Sequence, residues 1–419
     1  MDDTRQLRST WKEATLACLR RYVLVDTTAQ PGMPSPSSPG QIELGRQLMS
    51  ELTDLGLIDI HQDQFGIVTA TLPASPAYAS VPTIGWLAHL DTSPEASSAN
   101  VKTRVIRGYD GSEISFPGAP GIILTADTLP ELAACIGHDL VFTDGSTLLG
   151  ADDKSGIAAI MTAIEHLQRN PSIPHGRIRL AFTSDEEIGQ GIKHLDINAF
   201  SAVAAYTLDG SAAGEIASET FSADLAIVRI TGRNAHPGTA QGRMVSAVKV
   251  IADVIAHLPM DQTPETTDDR RGFLHPYDLT ARVGDAELKV LLRDFDTAKL
   301  GERAAHLRTL VEDALRRRPG ATGYVEVVKQ YRNMADDLRA HPEIVTRLEN
   351  AVRRAGLTPR FEAVRGGTDG SFLTERGLPC PNIFCGEHNA HAVTEWASLD
   401  DMADSVACLV ELAKEWAGT

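Results

Sequence analysis

The sequence has few cysteines, and none is placed to suggest a disulfide framework or a cysteine zinc site. There are five cysteines among 419 residues, an odd number, and no two form a CxxC pair. Disulfide-stabilised folds and cysteine zinc sites both depend on closely spaced cysteines, usually in even number. The cysteines are therefore predicted to be reduced, which favours a cytoplasmic protein.

The sequence also lacks a long apolar run and an excess of basic residues. No stretch approaches the roughly 20 apolar residues that span a bilayer. The first 22 residues are charged throughout and contain no apolar signal core. Lys and Arg number 39 against 56 Asp and Glu, so the net charge is −17. Because nucleic acids and anionic membranes attract basic surfaces, we expect neither a nucleic-acid partner nor a membrane partner.

The apolar residues, 42% of the chain, are numerous enough for a sizeable core and follow both helix and strand periods. A helical pattern at 151–170 is followed by short apolar runs at 178–183 and 202–208. Strand, helix and strand with short connections are typical of an α/β domain with a mainly parallel sheet.

The pattern changes in the middle of the chain, where strands alternate apolar and polar residues. Their β-α-β-β-α-β order predicts a smaller α+β domain of ferredoxin-like type, inserted into the first domain. We therefore predict a split catalytic domain at 1–218 and 338–419. The inserted domain is predicted at 219–337, as a lid or dimerisation domain.

Two histidines and five carboxylates follow predicted strands or begin a predicted helix. They are His89, Asp91, Asp152, Glu186, Glu187, Asp209 and His391. In open α/β sheets ligands bind beyond the carboxyl ends of the strands, so these side chains can meet at one point. Histidine and carboxylate together suit borderline cations such as zinc, cobalt or manganese. A pair of such ions would provide a hydrolytic site.

Each short motif also has a plain structural explanation. HLDT at 89–92 suits the end of a strand, and Asp152 at a helix N-terminus is favoured by the helix dipole. Asp209 before Gly210 suits a turn. The combination of all these motifs, each at an expected strand exit or helix start, favours a metal site over the separate explanations.

The motifs occur in a fixed order along the chain: HLDT, GADDKSG, TSDEEIG, TLDG, NAHPGTAQG, RDFD, RGGTDG and NAHAVTE. With them the sequence closely resembles the M20 family of dizinc peptidases over nearly its whole length, and within that family the tripeptide aminopeptidases. The resemblance implies an enzyme that hydrolyses the N-terminal residue from tripeptides. It also implies a homodimer with two Zn²⁺ ions per subunit, for which Co²⁺ or Mn²⁺ are alternatives.

The resemblance further implies roles for individual residues. The metal ligands would be Asp152 as the bridge between the ions, His89 and Asp209 on one ion, and Glu187 and His391 on the other. Asp91 would orient His89, and Glu186 would be the general base. The last motif reads GEHNAHAVTE, one position longer than the family pattern, which leaves His388 as an alternative ligand. His391 is preferred because Glu395 follows it at the family's spacing of four residues.

The resemblance also suggests substrate contacts in and near the inserted domain. His236 matches a family histidine that polarises the scissile carbonyl, and in related dimeric enzymes this residue reaches the partner's active site. Arg293 and Arg365 would bind peptide carbonyls or the C-terminal carboxylate, to which Arg can make two hydrogen bonds at once. Asn333 is a further candidate contact. A local ion pair is the structural alternative for Arg293.

Other functions remain as alternatives to the tripeptide aminopeptidase. A dipeptidase or an N-acyl amino acid amidohydrolase would use the same dimetal chemistry. A non-catalytic binding protein on a hydrolase scaffold is disfavoured, because the ligands, the base and the orienting Asp are all present. A nucleotide-binding α/β enzyme has no support, since the sequence contains neither GxGxxG nor a Walker A stretch.

Overall fold

The structure, a computed structural model, describes residues 2–419, which divide into two units. The larger unit contains the residues up to 218 together with 336–362 and 368–419. The smaller unit contains 219–335 and 363–367. Within the described part of the chain, no helix has both the length and the apolar character needed to cross a membrane.

Eleven helices are present among residues 2–419. They are α1 Asp2–Tyr22, α2 Pro39–Asp54, α3 Pro130–Ala134, α4 Ala151–Arg169, α5 Ile197–Phe200, α6 Ala247–Ala256, α7 Thr297–Arg317, α8 Ala335–Arg339, α9 Pro342–Arg354, α10 Asp369–Glu375 and α11 Leu399–Ala417. The predicted helix at 151–170 corresponds to α4, whose apolar residues at helical spacing, such as Ile157 and Ile164, are fully buried.

The same residues contain eighteen strands. They are β1 Ile58–Gln62, β2 Val68–Leu72, β3 Ile84–His89, β4 Arg104–Ile106, β5 Ile114–Ser115, β6 Ile123–Leu124, β7 Leu140–Phe142, β8 Ile178–Thr183, β9 Ala204–Leu208, β10 Glu215–Thr220, β11 Ser222–Thr231, β12 Phe273–Ala281, β13 Asp285–Asp294, β14 Thr322–Tyr331, β15 Arg360–Val364, β16 Asn382–Ile383, β17 Glu387–His388 and β18 Trp396–Ser398.

Eight strands form a mixed sheet in the order β1-β2-β8-β3-β9-β16-β10-β15. At its centre β8, β3, β9 and β16 are parallel neighbours. Toward the sides β1, β2 and β10 pair antiparallel. Every residue of β3 is buried, as expected of a parallel strand covered on both faces. The predicted α/β fold is confirmed, and the carboxyl ends of the central strands lie along one edge of the sheet.

The smaller unit is built around an antiparallel sheet in the order β12-β13-β11-β14, on which α6 and α7 pack. Its elements follow the predicted β-α-β-β-α-β order. The alternating pattern of β11 places Ala226, Val228 and Ile230 in the core of this unit. The sequence pattern alone gives no range for β12, because β12 is an edge strand that contains Pro276 and exposes most of its second half.

Candidate metal centre

Parallel strands carry most of the predicted site residues to one edge of the large sheet. His89 is the last residue of β3, and Glu186 and Glu187 lie just after the end of β8. Asp209 directly follows β9, and Asp152 lies in the first turn of α4. Because β3, β8 and β9 are parallel neighbours, their carboxyl ends place these side chains close together.

The carboxylate of Asp152 contacts both predicted histidine ligands. Its Oδ1 lies 2.8 Å from Nε2 of His89, and its Oδ2 lies 3.3 Å from Nε2 of His391. The same nitrogen of His391 is 2.8 Å from Oε2 of Glu187. A carboxylate with a different imidazole at each oxygen has the arrangement needed to bridge two ions.

Two groups of three potential metal donors share Asp152. One group consists of His89, Asp152 and Glu187, and the other of Asp152, Asp209 and Glu387. Within each group the donor atoms all lie within 4.8 Å of one another. Glu387 was not among the predicted ligands, although its place just after the apolar run that ends at Cys385 is a signal of the same kind as for Asp209.

Burial and mutual repulsion raise the pKa values of the carboxyl groups around Asp152, whereas His391 and His89 hold the pKa of Asp152 itself well below its usual range despite its burial. Burial is the largest cause, and with the charge of Asp152 it raises the pKa of Glu187 to about 8 and that of Asp209 to about 6. Burial and the neighbouring carboxylates hold the pKa of Glu387 well above its usual range. Hydrogen bonds to Asp152 and Glu187 raise the pKa of His391 to about 11. This concentration of negative charge favours bound cations.

The donor set also contains a carboxylate atom without a partner. Oε1 of Glu187 is buried and has no hydrogen-bond partner among residues 2–419. A buried carboxylate oxygen is unfavourable without a donor or a cation, so this atom is available to a metal ion. The residues present therefore fit a pair of divalent ions of the zinc type.

Asp91 positions both His89 and the two glutamates. The main-chain oxygen of Asp91 is 3.1 Å from Nδ1 of His89, and its carboxylate Oδ1 is 3.5 Å from the same nitrogen. The carboxylate accepts hydrogen bonds from the backbone N–H groups of Glu186, at 3.0 Å, and Glu187, at 3.1 Å. Because acceptors face Nδ1, that nitrogen carries a proton, which leaves Nε2, 2.8 Å from Oδ1 of Asp152, as the nitrogen that would bind a metal ion.

Glu186 is close to the clustered carboxylates but belongs to neither three-donor group. Burial is the main reason that the pKa of Glu186 lies well above its usual range, and the charges of Asp209 and Asp369 add to it. A carboxyl group with a raised pKa can accept a proton and return it near neutral pH.

The structure separates the two histidines of the GEHNAHAVTE motif. His391 has a φ angle of +64°, a left-handed conformation that is uncommon for residues other than glycine, and its ring reaches Asp152 and Glu187. The buried ring of His388 instead stacks on Trp396, and its Nε2 lies 3.6 Å from Oδ2 of Asp401. Only His391 contacts the carboxylate cluster around Asp152.

Two carboxylates outside the predicted ligand set hold the backbone of the site by hydrogen bonds. Glu395 accepts hydrogen bonds at 2.7–3.0 Å from three N–H groups at the start of α4, those of Leu149, Gly150 and Asp152. Asp153 accepts a hydrogen bond of 2.9 Å from the N–H of His89. These bonds hold the main chain that presents Asp152 and His89. The spacing from His391 was the only sequence signal for Glu395.

Two of the predicted substrate contacts lie on accessible parts of the smaller unit. His236 is exposed, and its Nδ1 accepts a hydrogen bond of 3.2 Å from the N–H of Gly238. Arg293 is half-buried on β13, where it donates to Oε1 of Gln330 at 2.8 Å and lies over the ring of Tyr331. The local ion pair that was the structural alternative for Arg293, with Asp294 or Asp296 as the partner, is not found within the described residues.

The other two predicted substrate contacts make hydrogen bonds inside the smaller unit. The guanidinium of Arg365 donates to three backbone carbonyls, those of Thr267, Asp269 and Arg271. Asn333 is buried, where its Oδ1 accepts from the N–H of Thr220 and its Nδ2 donates to the carbonyl of Phe295. These bonds stabilise the local fold of the unit.

The sequence matches a peptidase family over more than half of its length and curated relatives over nearly all of it. The profile of peptidase family M20/M25/M40 matches residues 127–415. Peptidase T of Geobacillus thermodenitrificans (strain NG80-2) is 41% identical over 404 residues, which are 96% of this chain and 98% of the relative. Peptidase T of Bacillus subtilis (strain 168) is 40% identical over 406 residues, or 97% and 99% of the two chains.

Solved structures share the fold. Aminopeptidase PepT from Bacillus cereus ATCC 10987 has a TM-score of 0.74 and 24% identity, over 97% of this chain and 99% of that one. The YXEP protein of Bacillus subtilis, described as a dinuclear metal binding peptidase, has a TM-score of 0.66 and 14% identity, over 98% and 99%. The overall architecture is therefore that of these proteins.

Proposed function

Because the chain belongs to peptidase family M20/M25/M40, we propose that it is a metal-dependent aminopeptidase that removes the N-terminal residue of tripeptides. The observation that carries the proposal is the Asp152 carboxylate, each oxygen of which faces a different histidine within a cluster of carboxylates. The relatives named peptidase T, at 41% and 40% identity, support tripeptides as the substrate class.

The proposed cofactor is a pair of Zn²⁺ ions, with Co²⁺ or Mn²⁺ as alternatives. The ligands would be Asp152 between the ions, His89 and Asp209 on one, and Glu187 and His391 on the other, with Glu387 as an additional carboxylate beside Asp209. When bound, such a pair lowers the pKa of water toward neutrality and polarises a peptide carbonyl. The unpartnered Oε1 of Glu187 and the raised pKa values of Glu187 and Asp209 support this assignment.

Glu186 is the proposed general base. It would take a proton from the water that attacks the first peptide carbonyl and return that proton to the leaving amine. The raised pKa of its carboxyl group favours both transfers near neutral pH. Asp91 would keep the adjacent Glu187 turned to the metal ligands, because its carboxylate holds the backbone N–H groups of both glutamates.

His236 and Arg293 remain the candidates for substrate contact. The exposed imidazole of His236 would polarise the scissile carbonyl, and the guanidinium of Arg293 would bind the C-terminal carboxylate of the peptide. For Arg365 and Asn333 we favour a structural role, since their side chains make hydrogen bonds inside the smaller unit. That unit would serve as the lid and dimerisation domain of a homodimer.

A cytoplasmic location is part of the same proposal. The five cysteines are all free. Free thiols accord with a reducing compartment, where disulfides are rare.

A substrate panel tests the proposed activity. The zinc-loaded protein should release the N-terminal residue from tripeptides with a free amine, lose this turnover when a chelator is added, and regain it with Zn²⁺. Dipeptides and N-acetyl amino acids form the other arms of the panel. Turnover of N-acetyl amino acids or dipeptides without turnover of tripeptides would replace the proposal by an amidohydrolase or a dipeptidase. No turnover of any substrate with metal bound would favour a binding protein.

Glu387→Gln should weaken metal binding while preserving the fold. The substitution keeps the shape of the side chain but removes a negative charge from the group with Asp152 and Asp209. We expect metal affinity to fall about 10-fold or more, as when groups that support a metal site are lost. Competition with a chromogenic chelator measures this affinity, and Glu43→Gln, at an exposed site on α2, is the control. Unchanged affinity would remove Glu387 from the proposed ligands.

A further inference from the structure

Another group of metal-type donors, separate from those around Asp152, lies in the larger unit. The thiol of Cys135, a ring nitrogen of His138 and a carboxylate oxygen of Asp401 lie within 4.8 Å of one another. Cys135 directly follows α3, His138 precedes β7, and Asp401 is in the first turn of α11. None of the three belongs to the donor groups around Asp152.

His388 is a fourth donor beside this group, and its ring nitrogens have no hydrogen-bond partner within the described chain. The side chain is 2% exposed, and neither ring nitrogen makes a hydrogen bond within the described chain. The ring stacks on Trp396, with 5.1 Å between the ring centroids, and Nε2 lies 3.6 Å from Oδ2 of Asp401. A buried imidazole without a hydrogen bond is unfavourable, which indicates that something else binds it.

The carboxylate of Asp401 connects the two histidines. Its Oδ1 is 3.7 Å from Nδ1 of His138, and its Oδ2 faces His388. Nδ1 of His138 is also 2.9 Å from Oγ of Ser398, the residue that caps α11. The side chain of His138 is 30% exposed, whereas Cys135 is buried. The donors are therefore buried except at His138, where an ion could enter from the solvent.

We propose that Cys135, His138, His388 and Asp401 bind one divalent cation of the zinc type, Zn²⁺ or Co²⁺, in a site separate from the peptidase centre. One thiol, two imidazoles and one carboxylate supply the four ligands of a tetrahedral structural zinc site. Metal–ligand distances of about 2.0–2.3 Å require the donors to approach one another on binding, and His388, which is outside the 4.8 Å group of the other three, must join them.

The proposed ion would connect three segments, two of which lie more than 240 residues after the first. These are the end of α3, the strand β17 and the first turn of α11. Because all four positions around the ion would be taken by side chains, the site leaves no open position for a substrate. Its role is therefore structural: it braces the segment that continues from His388 to His391.

Cobalt spectroscopy tests this site, because a sulfur ligand gives Co²⁺ a near-ultraviolet charge-transfer band that nitrogen and oxygen ligands do not. The Co²⁺-loaded wild-type protein should show this band and bind one ion beyond those of the peptidase centre. Cys135→Ser should lose the band and that ion while keeping most of its tripeptide turnover. The band reports on Cys135 whether or not the protein cleaves tripeptides, so the two proposals fail separately.

Cys385→Ser and Cys18→Ser are the matched controls. Cys385→Ser is the more important control, because the Cys385 thiol is 3.2 Å from Oε2 of Glu387 and could itself be the sulfur ligand of an ion in the peptidase centre. Both controls should keep the band. If Cys135→Ser does not fold, His388→Gln should still bind one ion fewer while retaining all its cysteines. A band that persists in Cys135→Ser, a band that disappears in Cys385→Ser, or a wild-type protein with no band would overturn the proposal.

Discussion

Glu186→Gln should keep its bound metal and lose nearly all turnover. Glutamine has the size of glutamate and leaves the backbone hydrogen bond to Asp91 in place, but its amide cannot accept the proton of the attacking water. Loss of a general base typically lowers the rate about 10²–10⁴-fold. Because Glu186 lies outside both three-donor groups, the variant should retain the metal content of the wild-type protein.

Two measurements on the same sample check this expectation. The value of kcat on a free-amine tripeptide should fall, and metal content by mass spectrometry should stay unchanged. The exposed Glu43→Gln variant should match the wild-type protein in both. Wild-type turnover in Glu186→Gln would exclude Glu186 as the base. Lost metal would instead make Glu186 a ligand.

Asp152→Ala should lose metal and reduce turnover to background. Asp152 is the residue whose carboxylate contacts both His89 and His391, and it belongs to both three-donor groups. Its removal takes a ligand from each ion of the proposed pair. The same charge helps to raise the pKa values of Glu187 and Asp209, but it also pairs with His89 and His391, which hold the pKa of Asp152 well below its usual range. Removing Asp152 therefore removes an attraction as well as a repulsion.

Thermal unfolding with and without Zn²⁺ separates these effects. Each ion of the peptidase centre should stabilise the wild-type protein by about 4 kcal/mol at a free zinc concentration 1,000 times its Kd. Asp152→Ala should lose the part of this shift that the peptidase centre contributes, and its metal-free form should melt earlier than the metal-free wild type, because the contacts with His89 and His391 are gone. The exposed Asp127→Ala variant should behave as the wild type. Two full equivalents of zinc retained by Asp152→Ala would refute the bridging role.

The helices and strands that position the site could be predicted from the sequence where their side chains are buried on one face or on all sides. The apolar spacing of α4 and the mostly apolar run of β8 are strong local patterns, because burial on a known face dictates residue type. The edge strand β12 lacks such a pattern, since Pro276 interrupts it and its second half is exposed. The antiparallel pairing of β2 with β8 also has no local signature, because pairing partners are chosen in three dimensions.

For the candidate site, the sequence predicted which kinds of residue are present and near which strands they lie, but not which side chains contact one another. His89, Asp152 and Glu187 carry recognisable motifs and lie within one donor group. Glu387 has the same chemistry, but the sequence motif that contains it was interpreted through its two histidines, His388 and His391. Asn333 was selected by resemblance, yet only tertiary structure shows its amide hydrogen-bonded to Thr220 and Phe295.

The sequence by itself determined the family, the alternation of helices and strands, and the supply of histidines and carboxylates at strand exits. These depend on residue type and order along the chain. Tertiary structure decided which donors meet, as His388 and His391 illustrate. They are three residues apart and chemically identical. The pairing of β17 with β18 buries His388 against Trp396, whereas the left-handed backbone at His391 turns that ring to Asp152.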